Sequence, residues 1–335
     1  MNASERKNKF WSFAAKWADR TVIFSFDKVG YFIHQHNFDA NDLDHSMQKK
    51  VCLITGGSSG IGRATAKALA EHGAEVYILC RNQESGLVAV DELREETKNH
   101  HIHLAAVDVS DLDSIQKFLK TFAPKRVDVL IHNAGSMASK KKVTRQGAEL
   151  TFATSVLGPY LLTMGLLDKM QDSPDARVIF VSSGGAYTQK LEIDKLLGNS
   201  DTYNGLIAYA QSKRAQIILA EIFAEKLRHT SVSVHAMHPG WVNTPGVRKA
   251  LPKFHFTMQH LLRTPQQGAD TAVWLAVCPT VKNQTGKYWF DRMERNTHFM
   301  ASTQESQKVR QILWNLCVER CALLVSKANS LLLSS

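Results

Sequence analysis

Five cysteines are all that this chain of 335 residues carries, and no two of them form a Cys-x-x-Cys pair. Their number is odd, and Cys52 and Cys80 fall inside apolar stretches that read as buried strands. The pattern argues against a disulfide framework and for reduced thiols in a cytoplasmic protein. Cys317 and Cys321 stand one helical turn apart, but no histidine pair follows them. His100, His101 and His103 have no acidic or cysteine ligand set nearby, so they read as a surface cluster and no metal is expected. No uncharged apolar run reaches about 18 residues, which argues against a spanning helix. A clean apolar run followed by a cleavage site is also missing near the N-terminus, so no secretory signal is expected. There is no internal repeat and no low-complexity segment. Lys140-Lys141-Lys142 is the only basic run. With no nucleic-acid motif beside it, a nucleic-acid partner is not expected.

What is present is a composition able to bury a full core, 44% hydrophobic and 21% charged, with a net charge of +10. Such a charge suits an anionic cofactor or an anionic membrane surface. Residues 1–48 stand apart as an extension. Phe10, Trp11, Phe13, Trp17, Phe24 and Phe26 are interrupted by Lys16, Arg20 and Asp27. On a helical wheel Lys9, Lys16, Arg20 and Asp27 share one narrow strip, and the rest of the circumference is mostly apolar. An amphipathic helix of this kind covers its own domain or lies in a membrane interface. Peripheral contact with an intracellular membrane through residues 9–33 is the second of these expectations. Asn37–Met47 reads as a polar linker.

From residue 49 to about 300 the pattern alternates strand, turn and helix. Strands are predicted at 51–54, 75–80, 103–107, 127–132, 177–182, 231–237 and 288–290. Helices are predicted at 63–72, 84–98, 147–171 and 205–228, with Gly73 closing the first and Ser110 capping the one that follows the third strand. This is one α/β domain: a Rossmann-type, doubly wound, mostly parallel sheet of seven strands covered on both faces. Residues 301–335 add a C-terminal helix, with Val309, Ile312, Leu313 and Leu316 at helical spacing, and a tail whose last six residues read as frayed.

Thr55-Gly56-Gly57-Ser58-Ser59-Gly60-Ile61-Gly62 lies between the first strand and its helix. A glycine turn there lets a dinucleotide pyrophosphate approach the backbone and the helix N-terminus. The second strand ends in Cys80-Arg81. A carboxylate at that place would bind a ribose hydroxyl and repel a 2′-phosphate; Arg81 attracts the phosphate, which predicts NADP(H) in preference to NAD(H). Arg63 reads either as a second phosphate ligand or as a charge on the helix face. Asp108 and Val109 end the third strand, where adenine is expected. Asn133-Ala134-Gly135 ends the fourth and passes close to the cofactor. Pro239, Val242 and Thr244 follow the sixth, where the nicotinamide carboxamide is expected.

Tyr209 and Lys213 are four residues apart on a predicted helix and so share a face. A free phenol titrates near 10; a neighbouring ammonium and an oxidised nicotinamide both favour phenolate. Tyr209 can then exchange a proton with a carbonyl oxygen. Ser183, in preference to Ser182, offers a hydroxyl to the developing oxyanion. Over residues 49–300 these motifs, Thr55–Gly62, Asn133–Gly135, Ser183, Tyr209/Lys213 and Pro239-Gly240, resemble the short-chain dehydrogenase/reductase family. The resemblance implies an NADP(H)-dependent oxidoreductase and homodimers paired through the two long helices. It also implies an Asn three residues before Gly158, holding a water on the active-site lysine. This chain has Ser155 there. The apolar residues around 241–262, a lid region, suggest an apolar carbonyl or alcohol substrate. The alternative is a non-catalytic NADP(H)-binding protein tethered to membranes or partners.

Overall fold

The computed structural model describes residues 11, 15, 25–199 and 202–322. Eight strands form one sheet: β1 Val51–Thr55, β2 Glu75–Cys80, β3 Ile102–Ala106, β4 Val129–His132, β5 Ala176–Val181, β6 Val232–His238, β7 Lys287–Phe290 and β8 Met293–Arg295. Their spatial order is β3-β2-β1-β4-β5-β6-β7-β8. The first seven are parallel and are the predicted strands, their ends moved by two residues at most. β1, β4, β5 and β6 are buried along their whole length; β1 and β4 read as near-continuous apolar runs, whereas β6, Val-Ser-Val-His-Ala-Met-His, alternates and buries its polar residues too. The eighth strand is additional. It pairs antiparallel with β7 through a two-residue turn, Asp291-Arg292, both in the left-handed region at φ 49° and 57°. That geometry matches a mirror-image hairpin turn. Here it is held by Asp270, whose carboxylate takes two hydrogen bonds from Arg292.

Helices cover both faces. α2 Gly60–Glu71, α3 Gln83–Thr97 and α7 Pro265–Val277 lie on one side. α4 Leu112–Thr121, α5 Leu150–Gln171, α6 Gly205–Lys226 and α8 Gln307–Cys321 lie on the other. α5 is long and apolar enough to cross a membrane, yet 89% of its most apolar 18-residue stretch is buried in the core. A π-helical turn, Ala153–Leu157, interrupts it. Gly73, at φ 86°, closes α2 as expected. The cap of α4 is Asp111, not Ser110: the Asp111 carboxylate accepts from Asp113 N–H, while the Ser110 hydroxyl donates to Asp108.

Part of the N-terminal extension packs on the domain. Ser25 and Phe26 are helical, and Asp27 caps α1 Lys28–Gln35 by accepting from Val29 and Gly30 N–H. Asp27 is therefore a buried cap and no part of an exposed polar strip. Lys9, Lys16 and Arg20 lie outside the described residues, as does the predicted frayed tail. Residues 37–47 are pinned rather than free: Asp42 pairs with Arg292, and Met47 is buried with its N–H on His72 O.

Because β1 lies between β2 and β4, the connections leaving β1 and β4 diverge to opposite sides of the sheet. The crevice opened there, at the carboxyl ends of the strands, is where ligands bind in such sheets. The glycine turn and Asn133-Ala134-Gly135 both fall at it.

Candidate active site

The glycine turn is shaped by close approach. A Cβ on Gly62 would stand 2.3 Å from Gly56 O and 2.5 Å from the Asn133 amide nitrogen. Gly56 and Gly60 adopt φ 67° and 55°. Asn133 Nδ2 donates to Thr55 O at 2.9 Å, and Thr55 Oγ1 accepts from Asn133 and Ala134 N–H, which ties the turn after β1 to the turn after β4. The Cys80 thiol, at the end of β2, donates to Asn82 O. Ser59 caps α2 without a capping hydrogen bond from its exposed side chain. Thr244 lies over this turn, its methyl 3.2 Å from where a Gly60 Cβ would be, and its hydroxyl caps a short helix, Pro245–Ala250. Val242 is buried against Gly268, a neighbour of Ile61. Ser58, Ser59, Gly60, Ile61, Gly62, Asn133 and Thr244 therefore form one cradle. Pro239 leads into it from the end of β6.

Arg81 is exposed and makes no hydrogen bond or ion pair with the described residues. Arg63 is committed elsewhere: it bridges Glu92 and Glu96 of α3, and so is a helix-face charge rather than a phosphate ligand. Asp108 accepts at one oxygen from the N–H and hydroxyl of Ser110, while the Val109 carbonyl packs against Gly158.

The catalytic candidates meet above β5. Ser183 is extended and caps a 3-10 turn, Gly184–Thr188. Its hydroxyl accepts from Gly185 N–H. Ser182 is buried with its hydroxyl committed to Lys213 O at 2.8 Å, which leaves the Ser183 hydroxyl as the one that bears on Tyr209. Lys213 Nζ stands 5.6 Å from the Tyr209 ring centre. It donates to Val181 O at 2.8 Å and to Gln216 Oε1 at 2.9 Å. A lysine has three donors; two are fixed here, and Nζ lies 3.6 Å from where a Gly135 Cβ would be, beside the turn after β4. Burial brings the Lys213 ammonium down to about 7. Burial pushes the Tyr209 phenol up, with the Ser183 hydroxyl pulling against it. The predicted lowering of Tyr209 by Lys213 is not the dominant effect, because the lysine is itself desolvated. Ser155 sits in the π-helical turn of α5, its hydroxyl buried without a hydrogen bond to the protein.

Two contributors escape sequence reasoning. Gln216 fixes Lys213 from one helical turn away, a spacing that was available in the sequence. Phe26 of the extension closes the back of the site, its ring 2.8 Å from where a Gly184 Cβ would be and 4.4 Å from the His238 ring. No sequence pattern connects residue 26 with residue 184.

Residues 50–253 match the family described as short chain dehydrogenase, and the chain belongs to the short-chain dehydrogenase/reductase family, oxidoreductases that bind a nicotinamide cofactor. It is 40% identical over 288 residues to human dehydrogenase/reductase SDR family member 12, covering 85% of this chain and 90% of that protein. Human retinol dehydrogenase 11 is 32% identical over 271 residues, 80% of this chain and 84% of its own. The crystal structure of an uncharacterized protein from Mycobacterium paratuberculosis superposes with a TM-score of 0.68 at 25% identity, covering 85% of this chain and 97% of that one.

Proposed function

We propose that this protein is an NADP(H)-dependent oxidoreductase that interconverts an apolar carbonyl compound and its alcohol. The observation that carries the reading is Lys213 Nζ, fixed by Val181 O and Gln216 at 5.6 Å from the Tyr209 ring centre, with Ser183 at the end of β5 beside α6. When bound, the nicotinamide supplies or accepts the hydride. Ser183 holds the substrate oxygen, and Tyr209 gives that oxygen its proton in reduction or removes it in oxidation. Lys213, fixed beside the phenol by two acceptors, has one donor left for the nicotinamide ribose. The glycine turn holds the pyrophosphate at the α2 N-terminus. Arg81, without a partner among the described residues, takes the 2′-phosphate. Reduced cysteines suit a cytoplasmic location, and all five are free.

The test is NADPH oxidation by the purified protein with lipid aldehydes, ketosteroids, retinal and quinones, with Tyr209→Phe beside it. Turnover that falls by about 10²–10⁴-fold in the variant is the expected result. Unchanged turnover in Tyr209→Phe removes the role given to that residue. The buried, unpartnered Ser155 hydroxyl favours the second reading, a binding protein without turnover; NADPH binding with no activity on any compound would be its signature. The cofactor assignment has its own check. Arg81→Ala should weaken NADPH about 10–100-fold, the worth of a charge-assisted hydrogen bond, and leave NADH nearly unchanged. Equal loss for both cofactors would remove the 2′-phosphate from Arg81.

A further inference from the structure

Between β6 and α7 the chain forms a lid of two short helices, Pro245–Ala250 and Pro252–Met258, and neither contains a buried residue. Phe256, on the second, is 77% exposed, the most exposed large apolar side chain described. Arg248, Lys249 and Lys253 are exposed beside it. The Lys249 and Lys253 ammonium groups have no hydrogen bond or ion pair among the described residues. The chain has 31 acidic residues, yet none occurs from Pro239 to Ala269. α1 adjoins the lid: Lys28 N–H donates to Leu261 O at 2.9 Å and Trp241 N–H to Phe26 O at 2.7 Å. α1 has no acidic residue either, and it exposes Lys28, Val29 and Phe32. A folded surface seldom leaves a phenylalanine in water beside unpaired lysines unless something covers it. A protein partner would have to be both acidic and apolar there. An anionic bilayer offers both properties together, with lipid headgroups for the lysines and acyl chains for the ring.

We propose that the lid is a docking surface for an anionic lipid bilayer. This surface lies at the mouth of the site. Trp241 packs on Phe254 of the lid at 5.5 Å and on Phe26 at 6.0 Å. Asn243 Oδ1 accepts from both Arg248 and His255 at 3.1 Å, tying both short helices to the segment that runs over the glycine turn. Docked in this way, the site faces the membrane, and an apolar substrate passes into it without crossing water; that last step rests on the substrate class proposed above.

The experiment is co-sedimentation of the full chain with phosphatidylcholine vesicles, with and without phosphatidylserine. Native protein should bind the anionic vesicles, and added salt should weaken the binding. Lys249→Gln/Lys253→Gln should weaken it about 30-fold, from about five-fold per charge removed. Phe256→Ser should weaken binding while leaving NADPH affinity unchanged. If both variants bind as the native chain does, the lid is not the docking surface and residues 9–33 carry the contact. If the native chain binds neither vesicle, the proposal is overturned and the patch belongs to an acidic protein partner. Sedimentation needs no turnover, so failure of the oxidoreductase reading would leave this outcome legible.

Discussion

Lys213 is an ammonium held 98% out of water, with two neutral acceptors and no carboxylate beside it. Its folded pKa is about 7 against 10.5 in the open chain. Between those values the unfolded chain binds more protons than the folded one, so stability from this group rises with pH, by at most about 1.4 kcal/mol per unit. Below pH 7 the whole penalty of burying the charge is present. Lys213→Met should therefore melt higher than the native protein at pH 7, in the absence of cofactor, with a gap that narrows toward pH 10. Thermal scans at several pH values read this directly, and a gap independent of pH would mean that the lysine is not desolvated. A residue that destabilises its fold and yet occupies the centre of the crevice is what a functional site leads one to expect.

At the scale of elements, the extension and the lid are joined by one buried guanidinium. Arg263 Nε donates to Phe26 O and Asp27 O at 3.0 Å, and Nη2 donates to Ser25 O at 2.9 Å. Its other face meets Asp291 at 2.6 and 2.8 Å, and Asp291 also bonds to His34 at 2.6 Å. Gly240 has no side chain because a Cβ there would stand 2.3 Å from Arg263 Nε. Arg263→Met strips Asp291 of its guanidinium and Ser25 O of this donor, while Phe26 O keeps Trp241 N–H, Asp27 O keeps Tyr31 N–H and Asp291 keeps His34; it should cost about 3–5 kcal/mol. Urea melts should show this, together with new protease sensitivity near residue 26; a loss below about 1 kcal/mol would show the junction to be solvated. None of this was legible in the sequence, since Arg263 and Ser25 are 238 residues apart. β1 and β4 were legible because a parallel strand buried on both faces is a near-continuous apolar run, and the other strands from their place in the strand–turn–helix alternation. The glycine turn and the Tyr209/Lys213 pair were legible because each is a local spacing. β8 was not, because its turn relies on Asp270 from α7 to hold Arg292 in a conformation that arginine rarely adopts.

For the whole molecule, the question is what covers α5 and α6. Pairing of two copies through these helices is the expectation drawn from the family, but here α8 of the same chain lies over them. Trp314 packs edge-on against Tyr160 of α5 and Phe223 of α6, both at 5.3 Å, with Lys226 Nζ 4.8 Å from its ring centre. Buried Arg214 of α6 pairs with Glu305 just before α8, and Arg310 pairs with Glu221. A second copy could reach this face only by displacing all of these contacts. Light scattering should accordingly give a monomer near 37.4 kDa. Trp314→Ala should lose about 3–5 kcal/mol of stability, as for other buried aromatics. Removing residues 305–335 uncovers Tyr160 and Phe223 and should convert the monomer into a self-associating species, because the apolar face then has no partner in its own chain. A native dimer that survives this deletion unchanged would place the subunit contact on another face, and α8 would then be a stabilising strap and not a substitute for a second subunit.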